Sequence, residues 1–179
     1  MTFEEKTLDT EKIYDGKILN LRRDTVTVLH GQSSREIIEH NGGAVIVPIL
    51  PGNRVVMVRQ FRKPAEQVLM EIPAGKIDPG EDPDTTALRE LREETGYRAG
   101  KLRKLVAMYP TPGYSEEVLH IYLAEDLVPG ETDFDENEAL DILEVPFDEI
   151  VSKIMDGEIA DAKTIVGILM ADKIIRSER

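Results

Sequence analysis

Apolar residues in this chain come mostly in short runs at strand spacing. "TVTVL" at Thr25 to Leu29 favours a strand, and "REIIEH" at Arg35 to His40 is its expected antiparallel partner, with "HGQSS" as the turn. "GGAVIVPIL" and "RVVMVRQF" flank Pro-Gly-Asn, the pattern of a hairpin. "VLMEIPAG" predicts a further strand ending at Pro73, and "KLVAMYP" and "EEVLHIYLAEDL" predict two more. "ALDILEVPF" alternates apolar and polar residues, as a half-buried strand does. Helical spacing appears in three places. Asp82 is suited to cap a helix over Pro83 to Thr95, with Pro83 in its first turn and Gly96 just past its end. Ala87, Leu88, Leu91 and Thr95 then face the core. A second helix covers Asp148 to Met155 before Gly157. A third covers Asp161 to Arg176, with Ile165, Ile168, Leu169 and Ile175 at roughly helical spacing. Strands and helices do not alternate regularly, so the class is α+β rather than a parallel doubly wound sheet. Residues 1–40 form a β-rich N-terminal segment, and residues 41–179 form the main domain.

Composition narrows the function. The chain has 179 residues and a net charge of −13, an unfavourable balance for binding a nucleic-acid backbone. It has no cysteine, which removes disulfides, thiolate metal sites and cysteine nucleophiles. "MTFEEKTLDT" lacks the apolar core of a signal peptide, and no apolar run is long enough to span a membrane. A cytoplasmic protein without membrane or nucleic-acid partners is expected. His30, His40 and His120 do not cluster in sequence, and none is assigned to catalysis.

One stretch departs from an ordinary surface helix. "GKIDPGEDPDTTALRELREETGY", Gly75 to Tyr97, puts Glu90, Glu93 and Glu94 on neighbouring helical positions, with Arg89 in reach of Glu93. Glu90 and Glu94, four apart, cost about 0.2–0.5 kcal/mol by repulsion unless a cation lies between them. Oxygen-rich clusters of this kind suit Mg²⁺ or Mn²⁺, and the glycines ahead of the helix let backbone come close to a ligand.

Gly75, Glu81, Arg89, Glu90, Leu91, Glu93, Glu94, Gly96 and Tyr97 stand at the fixed spacing of the Nudix signature, and the chain resembles that family over most of its length. The resemblance implies a mixed β-sheet sandwiched between α-helices and hydrolysis of a nucleoside diphosphate linked to another group. It implies that Glu90 and Glu94 are metal ligands, that Glu93 supports them or bridges a further ion, and that the Ala74 carbonyl is an additional ligand. Two or three ions, Mg²⁺ or Mn²⁺, are expected per site. Arg89 would orient the glutamates and Glu81 would shape the loop.

Further segments resemble the ADP-ribose pyrophosphatase branch of the family: "NGGAVIVPIL", "VRQFRKP", "EIPAGKID", "DAKTIVGILM" and Pro112 in "TPGYSEE", fifteen residues after Tyr97. That resemblance implies cleavage of ADP-ribose to AMP and ribose 5-phosphate. It makes Arg35, Arg59 and Arg62 candidates for phosphate contact, and Tyr14 and Ile18 candidates for packing on adenine. It also makes Glu138, with Glu136 second, the candidate base in "FDENEALDI". A homodimer with the N-terminal segment at its interface is expected from the same likeness. The alternatives are another nucleoside diphosphate sugar, such as GDP-mannose, or a non-catalytic sensor of ADP-ribose or NAD-type ligands. The self-repelling glutamates weigh against the sensor.

Overall fold

A computed structural model of the chain describes residues 3–134 and 139–178. It falls into two compact units. One comprises residues 1–42 with 109–118, the other residues 43–108 with 119–179.

The first unit is a three-stranded antiparallel sheet of β1 (Thr7–Asp15), β2 (Asn20–Val28) and β3 (Gly31–Glu39), in that order. The β2–β3 hairpin turns on Leu29 and His30 alone, and Val28 pairs with Gly31. Gly31 takes a φ of +93°, which glycine reaches without steric cost, so the turn is shorter than the "HGQSS" expected from sequence. Arg22 binds three carboxylates: Asp24 at 3.3 Å, Glu39 at 2.8 Å and Glu116 at 2.7 Å. With the Ile38 N–H on the Tyr114 carbonyl and the Glu116 N–H on the Ile38 carbonyl, this fastens segment 109–118 to the sheet.

The second unit is built on a seven-stranded mixed sheet. Its main path runs β10 (Asp141–Pro146), β5 (Arg54–Arg62), β4 (Gly43–Leu50), β9 (Leu119–Val128), β8 (Arg98–Met108). β6 (Gln67–Glu71) pairs with β5 and β7 (Ala74–Lys76) with β4. The predicted "VLMEIPAG" strand is therefore two strands. Pro73 has no N–H to donate to a ladder, and its carbonyl accepts from the Ile46 N–H. β4 and β9 run parallel.

Both faces of this sheet are covered, and so β4 is apolar at almost every position. Ala44 and Ile46 of β4, with Tyr122 and Ala124 of β9, pack on Ala87 and Leu91 of helix α1 (Pro83–Thr95). Val45, Val47, Ile121 and Leu123 point to the other face. There they meet Phe147, Ile150 and Ile154 of α2 (Phe147–Met155) and Ile168 and Ala171 of α3 (Ala162–Ser177). A Cβ at Gly167 would lie 2.8 Å from Ile72 and 3.0 Å from Val47, so α3 sits against the sheet at the closest approach glycine permits.

One inward assignment needs correction: Leu88 is 43% exposed. The buried face of α1 is Thr86, Ala87, Leu91, Glu94 and Thr95, a stripe that turns away from position 88 and takes in a glutamate instead.

Candidate active site

Helix α1 begins where the sequence predicts. The Asp82 carboxylate accepts from the N–H groups of Asp84 and Thr85 at 3.1 Å each, satisfying donors with no intrahelical partner. Tyr122, buried in β9, donates its hydroxyl to Asp84 at 2.6 Å and ties this end of the helix to the sheet. At the other end Gly96 takes a φ of +75°, and its N–H closes on the Arg92 carbonyl at 2.8 Å. The helix is thus fixed at both ends and along its buried face.

Its polar face projects into a cavity of about 430 Å³ lined by Ala74, Gly75, Lys76, Asp78, Arg89, Glu90, Glu93, Glu94 and Asp133. Five acidic and two basic side chains line it, a formal excess of three negative charges.

Arg89 organises the carboxylates. Its Nε and Nη2 donate to Glu81 at 3.1 and 2.9 Å, and its Nη1 donates to Glu90 at 2.6 Å and to Glu93 at 3.0 Å. Nη2 also reaches the Lys76 carbonyl at 3.3 Å. The Arg89 hydrogen bonds hold the Glu81 carboxyl down at about 2, so it stays ionised in mildly acidic solution. Thr86 adds a hydroxyl donor to Glu81 at 2.8 Å. Glu94 is only 2% exposed, and the Ala74 N–H donates to it at 3.0 Å.

Gly75 is required by contact rather than by backbone angle. A Cβ there would fall 1.8 Å from the Glu90 carboxyl carbon. Among the described residues, no three His, Cys, Asp or Glu side chains are already gathered as a metal cage. The donor set nevertheless fits a hard divalent cation. It is all oxygen, carries excess negative charge, and includes backbone exposed at a glycine against which a carboxylate is packed.

The NUDIX domain pattern matches residues 40–166, a span that includes this loop, helix and cavity. The chain belongs to the Nudix family. It is 43% identical over 169 residues to a Bacillus methanolicus protein named "Methanol dehydrogenase activator", covering 93% of this chain and 91% of that one. It is 41% identical over 170 residues to a Bacillus subtilis (strain 168) protein named "ADP-ribose pyrophosphatase", covering 93% and 92%. A crystal structure titled "ADP compounds hydrolase" superposes with a TM-score of 0.87 over 99% of this chain and 97% of that one. At 22% identity that likeness shows the fold. Nudix hydrolases generally depend on a divalent metal, in keeping with this donor set.

The other residues singled out from sequence lie in several places. Arg62 is in the same unit, on β5, where its Nε and Nη2 grip the Glu71 carboxylate at 2.8 and 2.6 Å. Glu71 is buried, and Lys163 also donates to it. Burial pushes the Glu71 carboxyl up, but Arg62 and Lys163 outweigh it and the net direction is down. Arg59 pairs with Asp141 at 2.8 Å across the β5–β10 ladder. Arg35 belongs to the first unit and pairs with Glu5. Tyr14, 57% exposed, Ile18, 64% exposed, and Pro112 belong to that unit too. Glu136 and Glu138 lie outside the described residues. Sequence reasoning missed Glu71, Lys163, Arg92 and Asp133. Their partners are distant along the chain or at adjacent positions, so no periodic signal marks them.

Gly75→Ala displaces the Glu90 carboxylate and should weaken Mn²⁺ binding about 10- to 100-fold by isothermal titration, the usual cost of disturbing a ligand's support. The urea unfolding midpoint should stay near wild type, because only a side-chain tip has to move. Undiminished Mn²⁺ affinity would show that this contact does not matter to the site.

Proposed function

We propose that this Nudix protein hydrolyses the diphosphate of ADP-ribose to AMP and ribose 5-phosphate in the cytoplasm, with Mg²⁺ or Mn²⁺, two or three ions per site. The observation that carries the reading is the Arg89-held cluster of Glu81, Glu90 and Glu93 beside buried Glu94. The 41% identity to the protein named "ADP-ribose pyrophosphatase" supports the choice of substrate.

In this reading Glu90, Glu94 and the Ala74 carbonyl would hold the ions, and Glu93 would support them. Bound divalent ions supply charge neutralisation of the diphosphate and Lewis-acid polarisation at phosphorus. The chain's own residues do the rest. Arg89 keeps the glutamates from relaxing apart. Glu138, with Glu136 as second candidate, takes the proton of the attacking water as general base. Water adds at one phosphorus, the bridging P–O bond breaks, and the released phosphate oxygen is the leaving group. Arg62, half exposed beside Glu71, is suited to contact substrate phosphate through the guanidinium edge that Glu71 does not occupy. Arg35, Arg59, Pro112, Tyr14 and Ile18 are the further substrate contacts proposed. Arg59 and Arg35 would have to exchange their present carboxylate partners for phosphate.

The test is hydrolysis of ADP-ribose beside GDP-mannose and NADH, with and without Mg²⁺. Magnesium-dependent release of AMP and ribose 5-phosphate from ADP-ribose is expected. It should be lost in Glu94→Gln and reduced about 10²- to 10⁴-fold in Glu138→Gln, the usual worth of a general base. Preference for GDP-mannose would reject the substrate assignment and keep the chemistry. Binding of ADP-ribose without turnover would reject the hydrolase reading.

The homodimer is part of the same proposal. Phe3, Leu8 and Ile13 of the N-terminal segment are large apolar side chains exposed in one chain, and a partner at that segment would cover them. Light scattering should give about twice the 20.1 kDa chain mass. A monomeric mass at micromolar concentration would end the dimer proposal.

A further inference from the structure

Position 92 lies between fixed residues of the signature, at a place where the pattern specifies no side chain. Adjacent residues on a helix do not ordinarily face each other. Yet Arg92 Nη2 donates to Glu93 Oε1 at 2.8 Å, while Arg89 Nη1 donates to Glu93 Oε2 at 3.0 Å. Each oxygen of Glu93 therefore carries its own guanidinium.

The other arm of Arg92 reaches out of the helix. Its Nη1 donates to Asp133 Oδ2 at 3.2 Å. The Asp133 N–H in turn donates to the Glu93 carbonyl at 2.9 Å, one of the last carbonyls of α1 that the helix cannot satisfy itself. Nearby, the chain passes so close to the helix end that a Cβ on Gly96 would lie 2.8 Å from the Gly130 carbonyl oxygen, and one on Gly130 equally close to that of Gly96. Asp133, held this way, is also a wall of the carboxylate cavity.

We propose that Arg92 is a positioning residue for the hydrolytic centre: it fixes the rotamer of Glu93 and holds Asp133 in its place in the cavity wall. This rests on the reading of that cavity as the site of hydrolysis. A planar fork is needed, because one group must span two carboxylates in different directions. The single ammonium of lysine cannot do this.

The experiment compares wild type, Arg92→Ala, Arg92→Lys, Asp133→Ala and the Arg92→Ala/Asp133→Ala double variant of the full chain. It measures kcat and KM for ADP-ribose, Mn²⁺ affinity by titration calorimetry, and hydrogen exchange over 129–134. In Arg92→Ala, kcat should fall about 10- to 100-fold with KM little changed, as for other lost supports of a metal site. Mn²⁺ affinity should fall, and exchange at the Asp133 amide should quicken. Arg92→Lys should not restore kcat. The double variant should be no worse than Arg92→Ala, because the two residues act as one connection. The proposal is overturned by wild-type kcat in Arg92→Ala, by full rescue with lysine, by effects that multiply in the double variant, or by a loss that only tracks the unfolded fraction in urea. If wild type cleaves neither ADP-ribose nor GDP-mannose, the functional reading fails separately. Exchange and Mn²⁺ binding then decide: both altered in Arg92→Ala uphold the positioning role, and both unchanged overturn it.

Discussion

The guanidinium of Arg89 is the interaction on which this site depends. Glutamates at 81, 90 and 93 all turn to it, and its five N–H groups are shared among their oxygens and the Lys76 carbonyl. Without a fixed cation, carboxylates at these spacings would splay into solvent, each gaining hydration and losing repulsion. With it, they stay together beside Glu94 and keep a net negative field. That field disfavours an anionic diphosphate by itself and favours it once divalent ions are bound.

The fold holds this arrangement by packing and hydrogen bonds at both ends of the helix. Helix α1 is pinned by Leu91 and Ala87 against β4 and β9, by Tyr122 on Asp84 at its start, and by segment 129–134 at its end. Facing it, β7 brings the Ala74 N–H to Glu94 and the bare Gly75 to Glu90. The strand leading there is fastened too. The Ile72 N–H donates to the Thr164 hydroxyl at 2.9 Å, and Glu71 is clamped by Arg62 and Lys163. Small errors in the position of Ala74 would be felt at Glu94, so this clamp belongs to the site as much as to the core.

Much of this was legible in the sequence because it is local. Asp82, Pro83 and Gly96 mark the helix bounds, and the spacing of Arg89, Glu90, Glu93 and Glu94 states the cluster outright. Strand β1 was not legible. "TLDTEKIYD" is exposed along its whole length and exists by pairing with β2, so it leaves no alternating burial pattern to read. Leu88 was misplaced because periodicity gives a face but not its edges, and the buried stripe turns to include Glu94. The Glu71–Lys163 pair joins residues 92 apart and the Arg92–Asp133 pair joins residues 41 apart. Such pairs are made by the tertiary fold, and one sequence gives no sign of them.

The most direct measurement is magnesium-dependent ADP-ribose hydrolysis by Arg89→Lys, with its urea unfolding curve beside it. Lysine keeps the charge but cannot reach three carboxylates at once. Loss of turnover in a chain that still unfolds at close to the wild-type midpoint is the expected result. Wild-type turnover in Arg89→Lys would contradict the claim that this one guanidinium holds the site together.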